Sequence, residues 1–296
     1  MTPQIGLRRP SDTPPPRLQV IPASEAKVAV ILRQGPSKEV ACLLWNRQTD
    51  EVQLGQWLKG RIHGSCSDLS PDGKHFLYCA DDHRMNRRAT ADTWTAISVP
   101  PYLTAIVLHD EARGFTSGGY FVDNRRFWLN SVDQHIDVRS SGLECVRYLR
   151  EGHGPVRVGE TSVALLKQLR WGWSLEDPGN AEKPGTCEVA QALRKTLPGG
   201  WVLRKADSSR GRDGKPLAGH GLEPHELCPP DDRPTLHFPE WDWGDWLDDR
   251  LVWCAQGHLW TADFDPHNGL AEPRSLYDFC GMKFESRPAP YAGINL

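Results

Sequence analysis

Residues 69–82 read LSPDGKHFLYCADD, and residues 93–98 read TWTAIS. The run Ser70-Pro71-Asp72-Gly73 is a turn, because Pro71 presets its φ and Gly73 supplies permissive backbone. Lys74–Ala80 is then an apolar run of strand length, and Thr93–Val99 is a second one. The same layout returns at residues 246–264, WLDDRLVWCAQGHLWTADF. There an acidic turn at Asp248-Asp249 precedes the apolar run Arg250–Ala255. A polar Gln256-Gly257 turn precedes His258–Asp263. Trp94 and Trp260 hold similar places in the two hairpins, where a large aromatic can fill the gap between neighbouring sheets.

The pattern extends outward from both stretches. Lys27–Arg33, Glu39–Trp45 and Val52–Leu58 are strands joined by short polar turns, and connections this short keep neighbours antiparallel. Tyr102–His109, Gly119–Val122 and Phe127–Asn130 continue the series. Val156–Trp173 reads equally as strands or one short helix, and Thr186–Lys195 is helix-prone. Pro198–Lys205 is a turn feeding a strand, and Lys283–Pro288 begins the last one. Residues 1–24 hold Pro3, Pro10, Pro14, Pro15, Pro16 and Pro22 and read as an extended arm.

Meanders of three or four strands recurring every roughly 40–45 residues predict an all-β chain folded as a single β-propeller over 25–296. The expected count is five blades: 27–58 completed by 283–290, then 61–100, 101–150, an insertion-rich blade at about 155–235, and 240–279. A sixth blade within 143–175 is the alternative count, and a pair of β-sandwiches the alternative architecture. In the five-blade reading the C-terminal strand joins the first blade and closes the ring, which removes two open edges.

The turn Ser70-Pro71-Asp72-Gly73 and its following strand resemble bacterial WD-repeat-like and Tol-type β-propellers. Gly55–Arg61, Asp68–Gly73, Trp94–Ser98 and Pro100–Thr104 look like a group of uncharacterised bacterial propeller proteins. That similarity continues at Gly200–Lys205 and Trp241–Phe264. The resemblance implies a propeller fold and brings no catalytic motif with it. A Gly-His and Trp-Asp pair at WD-repeat spacing is absent, since Trp241-Asp242 stands at the wrong end of its unit.

Composition narrows the function classes. With 35 basic and 38 acidic side chains the net charge is −3, and no basic excess marks a nucleic-acid or membrane-surface binder. No run of about 20 apolar residues is present to span a membrane. Eight cysteines occur without a C-x-x-C pair, several inside apolar strands, and the N-terminal residues lack an apolar leader core. Both features point to a reducing, cytoplasmic setting.

Four groups of residues could carry chemistry. Trp241, Trp243 and Trp246, alternating in part with Asp242 and Asp245, could form an aromatic and acidic platform for a sugar or basic peptide. The alternative is that these indoles pack between blades. Asp68, Asp242 and Asp245 could act as funnel carboxylates of a glycosidase, a chemistry that needs two carboxyls about 5–10 Å apart. Arg204, Arg210 and Arg212 form a basic loop patch suited to binding. His220, His225 and Cys228 have ligand types that suit zinc, with only three ligands visible. No G-x-S-x-G elbow or H-E-x-x-H helix occurs.

The expected function is therefore a non-catalytic protein-interaction scaffold or accessory subunit of a larger bacterial complex, regulatory or phage-defence, with another protein as partner and no cofactor. Long loops at 81–92, 177–186 and 206–235 on a rigid disc motivate this reading. The alternative is a propeller glycoside hydrolase, or a ligand sensor using carboxylates at the central funnel.

Overall fold

The computed structural model describes residues 14–81, 93–110, 118–131, 136–138, 141–147, 163–176, 192–205 and 224–293. The architecture is mostly β, built from several antiparallel sheets. Among the described residues these are five sheets of three or more strands and one two-stranded ribbon.

The first sheet is a meander of β1 (Arg17–Pro22), β2 (Val28–Gln34), β3 (Glu39–Asn46) and β4 (Val52–Lys59). The second has a broken first strand, β5 (Arg61–Ile62) and β6 (Asp68–Leu69), both paired with β7 (Phe76–Asp81). It continues through β8 (Thr93–Ser98) to β9 (Ala105–Asp110). The third contains β10 (Gly119–Phe121), β11 (Arg126–Leu129) and β12 (Glu144–Val146), the last running parallel to β11. A helix, α1 (Val163–Arg170), follows. The fourth sheet is β13 (Ser174–Leu175), β14 (Leu193–Thr196), β15 (Val202–Lys205), β16 (His225–Cys228) and β17 (Leu236–Phe238). The fifth begins with β18 (Trp241–Leu247), β19 (Arg250–Ala255) and β20 (His258–Ala262). A ribbon of β21 (Phe264–Asp265) and β22 (Gly269–Leu270) intervenes before β23 (Arg274–Asp278) completes that sheet.

Local chemistry explains the tight turns. Asp248 and Asp249 both have positive φ, 51° and 59°, as do Gln256 and Gly257 at 54° and 73°. Two consecutive left-handed residues match the right-handed twist of the flanking strands, so β18–β19 and β19–β20 close in two-residue hairpins. At 70–73 the Ser70 carbonyl accepts the Gly73 N–H at 2.8 Å, and Asp72 accepts the Ser70 hydroxyl at 2.7 Å.

Apolar layers join neighbouring sheets at four junctions, and a fifth layer joins the third sheet to α1. Val30, Leu32 and Val40 of the first sheet pack on Phe76, Tyr78 and Ala96 of the second. Leu77, Ile97 and Val107 of the second meet Phe121, Phe127 and Leu129 of the third. Trp128 meets Val163 and Leu166 of α1. Leu203 and Leu227 of the fourth sheet pack with Trp241, Leu251 and Trp253 of the fifth. The fifth returns to the first through Trp243, Val252 and Leu259 against Leu18, Ile31 and Trp45. Each fully buried large apolar side chain in these layers contributes roughly 1.5–3 kcal/mol relative to exposure.

Several boundaries differ from expectation. Arg17–Pro22, within the stretch read as an arm, is a strand that pairs with β2 along its whole length. The fourth strand of the first sheet is therefore N-terminal, and 283–290 forms no strand. Pro288 and Pro290 lack the N–H donors a ladder requires. The C-terminal segment still crosses the first sheet as a strap made by side chains. The Phe284 ring lies 5.9 Å from Trp57, Gln56 Nε2 donates to the Arg287 carbonyl at 2.8 Å, and the Tyr291 hydroxyl donates to the Thr104 carbonyl at 2.9 Å. Residues 102–109, read as opening the third unit, instead supply the last strand of the second. Of the ambiguous middle, Val163–Arg170 is helical, while Leu193–Thr196 is a strand because it pairs on both sides. No helix among the described residues is long and apolar enough to cross a membrane.

Candidate functional site

The first strands of successive sheets meet one another. β1 lies against β18 and β6, β6 against β10, and α1 against β10. Charged side chains collect near these contacts and are buried, which requires each to be paired or hydrogen-bonded.

Asp68 is fully buried. Its carboxylate accepts the Phe121 backbone N–H at 2.8 Å and pairs with Arg170 of α1. Arg170 also donates to the Phe121 carbonyl at 3.0 Å and lies 4.6 Å from the Tyr120 ring centroid. Lys167, three residues earlier and so on the same helix face, donates to the Gly64 and Ser67 carbonyls at 2.6 and 2.5 Å. These bonds pin α1 to the second and third sheets.

A second cluster joins the fourth and fifth sheets. Lys195 on β14 pairs with Asp245 on β18 at 2.5 Å. The ammonium groups of Lys195 and Lys205 lie 5.3 and 4.5 Å from the Trp173 ring centroid, within cation–π range. The His225 Nε2 meets the Gly244 carbonyl at 3.1 Å. Asp245 Oδ2 and Trp173 Nε1 are buried and have no hydrogen-bond partner among the described residues. One is an acceptor and the other a donor.

Asp242 stands apart from both. Its Oδ2 accepts the Leu18 N–H at 3.3 Å across the junction of β18 with β1. Burial pushes its carboxyl up to about 7, with the Leu18 N–H and the charge of Arg17 acting against the rise. A carboxyl that titrates near neutrality is a feature of acid–base sites.

The three expected funnel carboxylates are thus held in three environments and share no partner. Asp68 answers Arg170, Asp245 answers Lys195, and Asp242 rests on a backbone amide. The aromatic platform is also corrected: Trp241 and Trp243 are only 3% and 4% exposed and belong to different core layers. Trp241 stacks between Phe238 and Trp253, with centroids 4.2 and 5.0 Å away. Trp246 packs partly buried against Phe264. The reason is that β18 is covered on both faces, so no face of it is free to be a platform.

Of the basic residues, Arg204 pairs with Glu176 at 2.6 Å and approaches the Cys228 sulfur at 3.6 Å. Arg210, Arg212 and His220 lie outside the described residues. His225 and Cys228 are three apart on one strand, so they point to opposite faces and do not join in a metal site. Sequence reasoning missed Lys167, Arg170, Lys195, Lys205 and Trp173. The available signal was that Lys195 and Lys205 fall on inward positions of β14 and β15.

No protein family matches the sequence, and no curated protein does. Among solved structures, the β-propeller domain of the trilobed protease from Pyrococcus furiosus, described as having an open velcro topology, aligns with 89% of this chain and 98% of its own. The identity is 10% and the TM-score 0.39. Acylaminoacyl peptidase from Pyrococcus horikoshii aligns with 90% of this chain and 45% of its own, at 14% identity and TM-score 0.36. An uncharacterized protein from Listeria monocytogenes aligns with 89% of this chain and 84% of its own, at 8% identity and TM-score 0.31.

Proposed function

We propose that the chain is a single five-bladed β-propeller that serves as a non-catalytic interaction module, an accessory subunit that holds another protein. Apolar layers join the first sheet to the second, the second to the third and the fourth to the fifth, and the fifth returns to the first, which supports a ring. Two of the three candidate catalytic carboxylates are consumed by buried cations that hold elements together, which favours a static centre.

The observation that carries the interaction reading is β9. It is the last strand of its sheet, reads AIVLHD, and pairs only with β8 among the described residues. Leu108 on it is 54% exposed. An unpaired apolar edge is a template for strand addition, and soluble proteins normally blunt such edges with charge or proline. The partner would present an extended segment with an apolar residue facing Leu108.

The test is capture from host lysate by tagged wild type and by Leu108→Lys, against a tag-only control. A stoichiometric partner held by the wild type and lost by a variant of equal thermal stability supports the proposal. No enriched partner, or equal capture by both, overturns it.

The orphan atoms Asp245 Oδ2 and Trp173 Nε1 favour a second reading, a sensor of a small polar ligand between the fourth and fifth sheets. A thermal-shift screen of small sugars and carboxylic acids tests it. A hit abolished by Asp245→Asn supports it, and a screen without hits removes it.

A further inference from the structure

The rim of the fifth sheet carries a group of side chains that the interaction reading does not use. The β20–β23 ladder places His258 directly opposite Asp278, and β23 ends at Asp278. Two residues later the Cys280 N–H turns back to donate to Asp278 Oδ1 at 2.8 Å, bringing the thiol to the same place. The ligand atoms of His258, Asp278 and Cys280 all lie within 4.8 Å of one another. The His258 Nε2 to Asp278 Oδ1 distance is 3.6 Å. In a tetrahedral site with bonds of roughly 2.0–2.3 Å, neighbouring ligand atoms stand about 3.3–3.8 Å apart. Small rotations of these side chains therefore suffice to bring three ligands onto one ion.

The surroundings suit a metal. The other imidazole nitrogen, His258 Nδ1, lies 3.3 Å from the Ser275 hydroxyl, so the ring is oriented with Nε2 toward Asp278. A partner on the second nitrogen is the usual support of a metal-bound histidine. Arg33 donates to the carbonyls of Phe279 and Met282, on either side of Cys280, at 3.3 and 3.4 Å. Asp278 and Cys280 are exposed, which leaves a fourth position open to water.

We propose that His258, Asp278 and Cys280 bind one divalent zinc-type ion at the rim of the fifth sheet. One imidazole, one thiolate and one carboxylate form a donor set of borderline softness, which suits zinc above the alkaline-earth cations. Binding replaces the thiol proton, which leaves to solvent, so affinity rises with pH. The ion would tie β20, the end of β23 and the start of the C-terminal strap into one unit.

The test is titration of the reduced full-length chain with cobalt(II), followed by displacement with zinc(II). Expected are one equivalent of cobalt with a thiolate-to-cobalt charge-transfer band, loss of that band on adding zinc, and its absence in Cys280→Ser. His258→Ala should weaken binding by about tenfold or more. Because the three side chains sit on the rim, both variants should melt with the wild type when no metal is present, and only the wild type should gain stability from zinc. A wild type without the band, or a Cys280→Ser variant that keeps it, overturns the proposal.

Discussion

The carboxyl of Asp242 gives the sharpest energetic test. Its ordinary value is 3.8, and burial raises it to about 7 in the folded chain. Such a group prefers its protonated form when folded, so folding is unpenalised below the unfolded value and loses stability as pH rises from about 4 to 7. At about 1.4 kcal/mol per pH unit, the gap is worth roughly 4 kcal/mol when fully developed, of which about 3–4 kcal/mol falls between pH 4 and pH 8. Asp242→Asn keeps the shape and an oxygen to accept the Leu18 N–H, but it cannot ionise. Urea unfolding of both proteins at pH 4, 5, 6, 7 and 8 isolates this group, because every other titration is common to the two. The stability of the variant relative to the wild type should climb by about 3–4 kcal/mol across that range. Parallel curves would refute the reasoning, since they would place the carboxyl at its ordinary value in the folded state.

Three other outcomes follow from the packing. Arg170→Met should cost about 3–5 kcal/mol in denaturant unfolding, because it leaves the fully buried Asp68 without its cation; a loss below about 1 kcal/mol would mean that the pair is not needed to hold α1. Trp241→Ala, which empties the stack between Phe238 and Trp253, should cost about 3–5 kcal/mol, whereas an exposed platform residue would cost almost nothing. Tyr291→Phe removes the hydroxyl that bonds Thr104 and Val99 and should cost about 1–3 kcal/mol while speeding proteolysis of the strap; unchanged proteolysis would detach the strap from the second sheet.

Much of the sheet pattern was legible in the residues because local chemistry decides it. Asp248-Asp249 and Gln256-Gly257 mark their hairpins, and strict antiparallel pairing of β18, β19 and β20 follows from connections of two residues. Ser70–Gly73 likewise announces its turn. What failed were boundaries where proline misleads. Pro14, Pro15, Pro16 and Pro22 suggest an arm, yet Pro22 ends β1 and the five residues before it pair with β2. Pro100 and Pro101 suggest a unit boundary, yet β9 returns beyond them to the same sheet.

The candidate site was less legible, for a different reason. Acidic residues on short strands could be recognised, but not their partners. Asp68 and Arg170 are 102 positions apart, and Lys195 and Asp245 are 50 apart. Only tertiary structure shows that a carboxylate expected to act on a substrate is instead neutralised by a buried cation. The tryptophans were ambiguous for a similar reason. Alternation along β18 would put Trp241 and Trp243 on one face, but an irregularity in the ladder between them sends them into different core layers, and the burial of both faces depends on the sheets beside it.

The central claim, that the edge of β9 left unpaired among the described residues receives another protein, is tested most directly by amide hydrogen exchange on the free chain and on its captured complex. The expected result is slowed exchange at Ala105–Asp110 on binding, with the amides of β18 and β19 unchanged. Protection confined to β18 and the fourth sheet, with Ala105–Asp110 exchanging as in the free chain, would contradict it.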